Sequence, residues 1–462
     1  MTIGALILTL YIIFILITKK KDSQFSLYKL AIIVSMFVNV GFVFKNKTSM
    51  SYSTYCMYIC VAIFLVNSIL FRKNVMYKSS KAMISTILLI FVVVLSYINL
   101  MNSTNLAAVV PFEICIDDVS NGLAYTSIPV FNKNNIGAFR DFVVFCLFCT
   151  FSAGYLTDKD KVEDLIRTIE KFYKIMFIFI LIEFFVSNFV SSTMMRGLIN
   201  QIFGLLDKTY EVPPERYGLF NAYGLYVEPS YVAGTILGYY AIKYVNGIKD
   251  FKDLCYYILS VLILVISGSS TGILLISIAA FVFLHSTLKL NRKTVIILGL
   301  SLTIFPLIVM GAALTLNESN RQVFDEIYET TSSKVMAYIY KDQSDKGSGY
   351  ARMNGNRMCY EVLKTNPFVG VGLGSTRGFG LIPGMVATMG LLGIAAYIFF
   401  AKVNFNIYVH KKNIVLFSIY MVLLCYVFSI WYIYMPAIIG IFIGFNKEQD
   451  GVINANNKEL LV

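Results

Sequence analysis

Stretches of about 17 to 22 consecutive apolar residues return along this chain from its start almost to its end. Each is long enough to cross a hydrocarbon layer of about 30 Å as a helix. With 57% hydrophobic and 14% charged residues and a mean hydropathy of +0.69, the chain has too little polar surface to cover a water-soluble globule. A transmembrane barrel would show alternating strands of about ten residues instead. The pattern therefore predicts an all-α fold, a polytopic transmembrane helix bundle of about 13 spans (12–14).

The expected spans are 2–18, 27–44, 53–71, 82–100, 136–156, 173–192, 229–246, 254–268, 271–286, 294–314, 381–402, 413–431 and 434–446. The first follows no basic region and precedes no small-residue cleavage site, so it reads as a retained span. The runs 254–286 and 413–446 are too long for single spans and are read as hairpins. The first breaks at the polar stretch from Ser267, the second at Trp431, Tyr432 and Tyr434 followed by Pro436. The whole of 1–462 is read as a single membrane domain, with a long extracytoplasmic loop at 315–380 between spans 10 and 11 and a cytoplasmic tail at 447–462.

With this count, Lys19–Lys21, Arg72 with Lys73, the segment 157–172, Lys249 with Lys252, Lys289–Lys293 and Lys411 with Lys412 share one side. The positive-inside rule makes that side cytoplasmic. Orientation in a bilayer thus explains the net charge of +12, whose cations are scattered between apolar runs; a nucleic-acid partner is not expected. The opposite, outer face receives three sizeable segments, 101–135, 193–228 and 315–380, and any chemistry is expected there.

Several residues on those outer segments suit work on a phosphorylated glycan. The loop sequence SerGlyTyrAlaArgMetAsnGlyAsnArgMet at 348–358, expected as a short helix, carries Arg352 and Arg357. Guanidinium groups donate bidentate hydrogen bonds to phosphate oxygens, which suits a diphosphate at headgroup depth. The plainer reading is that both solvate the loop or pair with nearby carboxylates. In AsnProPheValGlyValGlyLeuGlySer, 366–375, Gly370, Gly372 and Gly374 alternate and would let backbone approach a bulky ligand or turn tightly into the next span. A GxGxG on a membrane rim is not a dinucleotide fingerprint, which needs GxGxxG in a βαβ unit.

At the start of the seventh span, GlyLeuTyrValGluProSerTyrValAlaGly at 224–234 sets Glu228 before a Pro suited to a first helical turn. Glu228 could cap the helix, or act as general base on a sugar hydroxyl. Tyr223, Tyr226 and Tyr231 could stack on sugar rings, and Ser230 lies beside them. Ser267 and Ser269 offer hydroxyls where the eighth and ninth spans meet, or simply close a hairpin. Glu183 stands in the middle of the sixth span, where a carboxylate is a functional candidate or a protonated structural group. Arg140 and Asp141 could satisfy each other, or Arg140 could help hold a lipid phosphate. His285 and His410 fall at cytoplasmic helix ends, away from outer chemistry, and Cys146 with Cys149 lies in an apolar helix, where packing explains them.

The order GluProSer (228–230), SerGlySerSerThrGly (267–272), the arginine pair and AsnProPheValGlyValGlyLeuGlySer resembles the O-antigen polymerase family and its relative the O-antigen ligase. The resemblance covers about 220–402 and extends weakly to the last hairpin; the first 200 residues match only as generic spans. It implies a glycosyltransferase of the bacterial cytoplasmic membrane, working on its outer face without cofactor or metal. Undecaprenyl-pyrophosphate-linked oligosaccharides would be its substrates, for lipopolysaccharide, capsule or exopolysaccharide. A chain-length regulator and a flippase are the further partners implied. Ligases of this superfamily often carry Arg in the SerGlySer segment and His in the long outer loop; Ser270 and Thr271 stand here and that loop has no His, which favours polymerase. Without that histidine the general base falls to Glu228, Glu211, Glu215 or the acceptor's own proton path, with Glu228 preferred. A flippase or other transporter would be expected to line a central cavity with charges and to carry internal repeats. A peptidoglycan-type glycosyltransferase would carry another outer-loop signature, and a scaffold would leave the arginine-bearing loop unexplained.

Overall fold

The computed structural model describes residues 2–19, 22–36, 50–70, 80–102, 131, 133–203, 213, 215–216, 219–226, 229–288, 348–375, 380–405 and 418. They are mostly helical: α1 (Ile3–Thr18), α2 (Ser23–Met36), α3 (Tyr52–Leu70), α4 (Ser80–Asn102), α5 (Lys133–Ser152), α6 (Lys159–Phe189), α7 (Met194–Phe203), α8 (Pro229–Asn246), α9 (Phe251–Ile266), α10 (Ser270–Leu288), α11 (Ser348–Thr365) and α12 (Leu381–Asn404). A short antiparallel pair, β1 (Glu215–Arg216) and β2 (Leu219–Phe220), precedes α8. The expected spans 294–314, 413–431 and 434–446, the part 315–347 of the expected loop 315–380 and the tail 447–462 lie outside the described residues, apart from the single position 418.

Four described helices are long and apolar enough to cross a membrane: Ser80–Asn102, Asn135–Leu156, Lys159–Phe189 and Leu381–Asn404. The outer surface agrees with an apolar solvent. α1 exposes Leu6, Ile7, Leu10, Phe14 and Ile17, each more than half accessible, a continuous apolar face that water would penalise. Inside, Tyr28, Tyr173, Tyr239, Tyr240, Phe142, Phe145 and Phe148 are buried completely. The main helix contacts are α4 on α12, α2 on α3, α8 on α10, α11 on α12 and α3 on α5. Cys146 and Cys149 are free thiols buried in this core.

The hairpin reading of 254–286 holds: α9 ends at Ile266, α10 starts at Ser270, and Gly268 turns the chain with φ +61°. One expectation is corrected. The segment 157–172 is not a loop but the first half of α6, capped by the Asp158 side chain on the amide of Lys161. At 31 residues, about 46 Å, α6 outlasts a bilayer core, so its charged first half extends a span that alternating loops would have cut short. Within 193–228 the described residues include α7 and the strand pair.

Charged side chains tie one end of the bundle together. Lys243 of α8, 1% exposed, bonds Glu170 of α6 at 3.0 Å and Asp253 of α9 at 2.9 Å. Lys174 reaches the other Asp253 oxygen at 2.8 Å, and Lys29 pairs with Asp164. Burial alone would raise the Asp253 carboxyl, but hydrogen bonds and charge from Lys174 and Lys243 overcome it and hold it down at about 2.

At the opposite end α12 is broken in its interior. Gly390 has φ +64° and ψ −169°, and the loop 366–375 inserts at the break. The amides of Val371 and Gly372 donate to the carbonyls of Ala387 and Thr388, while those of Leu391 and Leu392 donate to Pro367 and Phe368. The interrupted helical bonds are thereby replaced one for one, which an apolar setting demands. Gly370, Gly372 and Gly374 all have positive φ, and a Cβ on Gly370 would sit 2.6 Å from the α12 backbone. Gly370 thus approaches the chain's own α12 closely, while Gly372 lies against the Tyr97 ring.

Gly390→Ala should destabilise by at least about 2 kcal/mol, because a Cβ there would lie 2.4 Å from the Phe368 backbone in a conformation L side chains avoid. Gly384→Ala, where nothing lies within 4 Å, should be neutral or stabilising by up to about 1 kcal/mol. Thermal unfolding in one detergent separates the two. Asp253 makes a second test: a carboxyl depressed from 3.8 to about 2 contributes stability that is present above about pH 4 and lost as pH falls toward 2. About 2 kcal/mol should disappear over that window, and Asp253→Asn should abolish the slope.

Candidate functional site

The segment 220–226, just before α8, has no helical bonds of its own and is held by its neighbours. α6 supplies two side chains. Asn188 pairs with both backbone groups of Phe220, accepting at 2.8 Å and donating at 3.0 Å. Glu183, one turn and a half earlier, accepts from the amides of Tyr223 at 2.9 Å and Gly224 at 2.5 Å through one oxygen. From the other side the Ala222 amide donates to the carbonyl of Ile266, and Asn221 packs against the bare α-carbon of Gly268. The segment 221–226 and the turn 267–269 therefore form one structural unit.

Arg196 of α7 completes it. Its guanidinium lies on the Tyr223 ring, 3.4 Å from the centroid, and donates through Nη1 to the Tyr226 carbonyl at 3.0 Å. Its Nε is 2.7 Å from the second Glu183 oxygen, and both side chains are 0% exposed. A carboxylate in an apolar interior needs such a countercharge. Glu183 is thus an ion-paired organiser of backbone. The pair does not exhaust its partners: Arg196 Nη2 and Asn221 Nδ2 are buried with no hydrogen-bond partner among the described residues.

The sequence-predicted residues distribute as follows. Tyr223 and Tyr226 are brought together but are 0% exposed; Tyr223 gives one ring face to Arg196, and the Tyr226 hydroxyl contacts Met176 Sδ. In this structure they support the site from beneath and present no open ring for a sugar. Ser267 and Ser269 are buried, with Ser267 donating to the Leu264 carbonyl, the plain hairpin role. Pro229 begins α8, as the motif predicted, and Ser230 follows it in the first turn; Glu228 lies outside the described residues. Arg140 is bonded to Asp141 at 2.8 Å.

Arg352 and Arg357 both fall on α11, which is helical as expected. Five residues of helix separate them by about 140° around the axis and about 7.5 Å along it, so they belong to different faces. The buried stripe of α11 contains Gly355, Asn356, Cys359 and Val362. Position 352 shares that stripe, and position 357 is on the side of Tyr360 and Lys364, both exposed.

α11 leads into the loop 366–375, and three residues not singled out in the sequence hold that loop. Asn99 of α4 donates to Asn366 Oδ1 at 2.8 Å and to the Gly370 carbonyl at 2.7 Å. The Tyr97 hydroxyl and Asn135 Nδ2 both reach the Leu373 carbonyl, at 3.0 and 2.8 Å. Polar residues near the end of an otherwise apolar span were the available signal for Tyr97 and Asn99. For Arg196 it was a single cation amid apolar neighbours, ten residues beyond Val186 and soon after an intramembrane Glu. Among the described residues no group of three or more His, Cys, Asp or Glu side chains could hold a metal ion.

Arg196→Met should cost about 3–5 kcal/mol, because it strands the Glu183 carboxylate in an apolar interior. Adding Glu183→Gln, which keeps an acceptor for the amides of Tyr223 and Gly224, should recover more than half of that loss. Unfolding midpoints of the two singles and the double measure it; additive losses would show that the two side chains do not act as a pair.

No protein-family model matches the chain, and no curated protein matches it in sequence.

Proposed function

We propose that the chain is a polytopic glycosyltransferase of the bacterial cytoplasmic membrane that polymerises undecaprenyl-pyrophosphate-linked oligosaccharide units on the outer face. The observation that carries this reading is the meeting of two motifs far apart in sequence. The segment leading into GluProSer is held to the turn that opens SerGlySerSerThrGly by the hydrogen bond from the Ala222 amide to the Ile266 carbonyl and by Asn221 packed against Gly268. Motifs whose order suggests a common task are thus parts of one unit. The lysine and carboxylate network lies at the other ends of α6 and α8, which supports a cytoplasmic assignment for that end and an outer one for the site. About thirteen spans and a long outer loop at 315–380 complete the proposed topology.

In the reaction, an acceptor sugar hydroxyl attacks the anomeric carbon of the growing glycan while its bond to the diphosphate breaks. Glu228 receives the hydroxyl proton, and undecaprenyl diphosphate departs with the bonding pair. Charge grows on phosphate oxygens, so the principal demand is for fixed cations, which Arg352 and Arg357 supply. The faces of α11 divide their work: Arg352, on the stripe shared with the buried residues, serves the departing diphosphate, and Arg357 a charge further out.

Arg352→Ala should lower polymerisation about a hundredfold, leaving single repeat units, and Arg357→Ala should lower it less. Gel ladders of polymer from cells carrying each variant, at equal protein level, measure this. Normal ladders from Arg352→Ala would defeat the assignment, and repeat units trapped on the cytoplasmic leaflet would mark a transporter.

A further inference from the structure

At the lysine-rich end of the bundle a cavity of about 690 Å³ opens between the end of α1, the start of α2 and the first half of α6. Its lining carries two cations and two carboxylates: Lys19 and Asp22 in the turn from α1 to α2, Lys29 on α2 and Asp164 on α6. Lys29 and Asp164 are bonded to each other, and Lys29 also lies over the Phe25 ring, 5.1 Å from its centroid. That leaves one charge of each sign. Lys19 and Asp22 are exposed and make no ion pair among the described residues. The Asp22 amide donates to the Lys19 carbonyl at 3.0 Å, which closes the turn and fixes the two residues beside each other. Ser26 lines the same cavity while only 9% exposed, and its hydroxyl has no hydrogen-bond partner among the described residues.

What adjoins the cavity narrows the class of occupant. Ile17 lines it and is more than half exposed, as are Leu10 and Phe14, which precede Ile17 on the same face of α1 at helical spacing. An apolar strip therefore runs along α1 and ends at a charged cavity, the order in which a lipid presents its chains and its headgroup. Lysine alone would attract any anionic lipid; the carboxylates in the same lining set a further condition. A headgroup that carries both signs meets Lys19 and Asp22 together, whereas one that carries only a phosphate leaves Asp22 unmet and lies beside two carboxylates.

We propose that this cavity holds the headgroup of a phosphatidylethanolamine whose acyl chains lie along α1. Its phosphate meets Lys19, and its primary ammonium donates to the Asp22 carboxylate, both charge-assisted contacts. The Ser26 hydroxyl donates to an oxygen of the phosphate or of the glycerol ester, which gives that buried group its partner. The lipid is a structural one: it seats α1 against α2 and α6, takes no part in any reaction, and does not depend on the polymerase reading.

The test uses the full-length protein in nanodiscs of phosphatidylcholine, whose quaternary ammonium has no N–H to donate. Photoreactive phosphatidylethanolamine and photoreactive phosphatidylglycerol, each with its diazirine beside the glycerol, are the probes at equal mole fraction. Phosphatidylethanolamine should label peptides containing Ile17 or Phe25 about fivefold more than phosphatidylglycerol does, the scale of one exposed ionic contact. Unlabelled phosphatidylethanolamine should compete for this labelling, and unlabelled phosphatidylglycerol should not. Asp22→Asn, which removes the charge and keeps the size, should bring the two probes level, while Lys19→Ala should lower labelling by both. Both positions are exposed, so the unfolding midpoints should stay unchanged. Equal or greater labelling by phosphatidylglycerol in the unaltered protein, a preference for phosphatidylethanolamine that survives Asp22→Asn, or labelling indifferent to Lys19→Ala would overturn the site.

Discussion

The structure of the candidate site depends on one buried ion pair. Neither member is affordable by itself: a lone carboxylate in the interior of α6 or a lone guanidinium under α7 would sit without water to solvate it. Together they do more than cancel. Glu183 spends one oxygen on the amides of Tyr223 and Gly224 and turns the other to Arg196, which holds the Tyr226 carbonyl and the Tyr223 ring. An irregular stretch of backbone, which in an apolar setting would leave its own polar groups unmet, is thereby specified residue by residue.

The same accounting of backbone groups governs the second irregular region. A break in α12 at Gly390 would orphan amides and carbonyls, and the loop 366–375 supplies their replacements. This explains the glycine alternation better than a ligand does, since the positive φ at 370 and 372 and the contacts of their α-carbons with α12 and Tyr97 leave no room for a side chain. It also joins α11 to α4 and α5 through Asn99, Tyr97 and Asn135, so the helix bearing Arg352 is anchored at its C-terminal end by three spans.

Most of the helices were legible because apolar run length is a strong local signal. The seventh span starts and stops at 229 and 246 as read, and the 267–269 turn is where its polar residues place it. What escaped was non-local or of mixed character. The charged half of α6 was read as a loop because polarity usually means loop between spans, whereas here its carboxylates face lysines of α2 and α8. Arg196 is not legible as a site residue, because nothing in its local sequence reveals that residue 183 lies beside it. Tyr223 and Tyr226 lie in the unit built on Glu183 and Arg196, and their burial is not legible in the sequence, because an aromatic near a rim looks the same whether its ring faces solvent or a guanidinium.

The two ends of the bundle are built on different principles, and this bears on where chemistry can occur. At the lysine-rich end, side chains on regular helices pair with one another, as Lys243 does with Glu170 and Asp253. Such contacts fix helix against helix and leave the backbone closed. At the other end, side chains bond to exposed backbone: Asn188 to Phe220, Glu183 to Tyr223 and Gly224, Asn99 to Gly370, Asn135 to Leu373. Irregular backbone inside an apolar bundle is costly to keep, and it gives what closed helices cannot, namely directed amides, carbonyls and turns at chosen depth. A chain that maintains two such regions, each braced from several helices, keeps polar backbone directed where regular helices would have closed it.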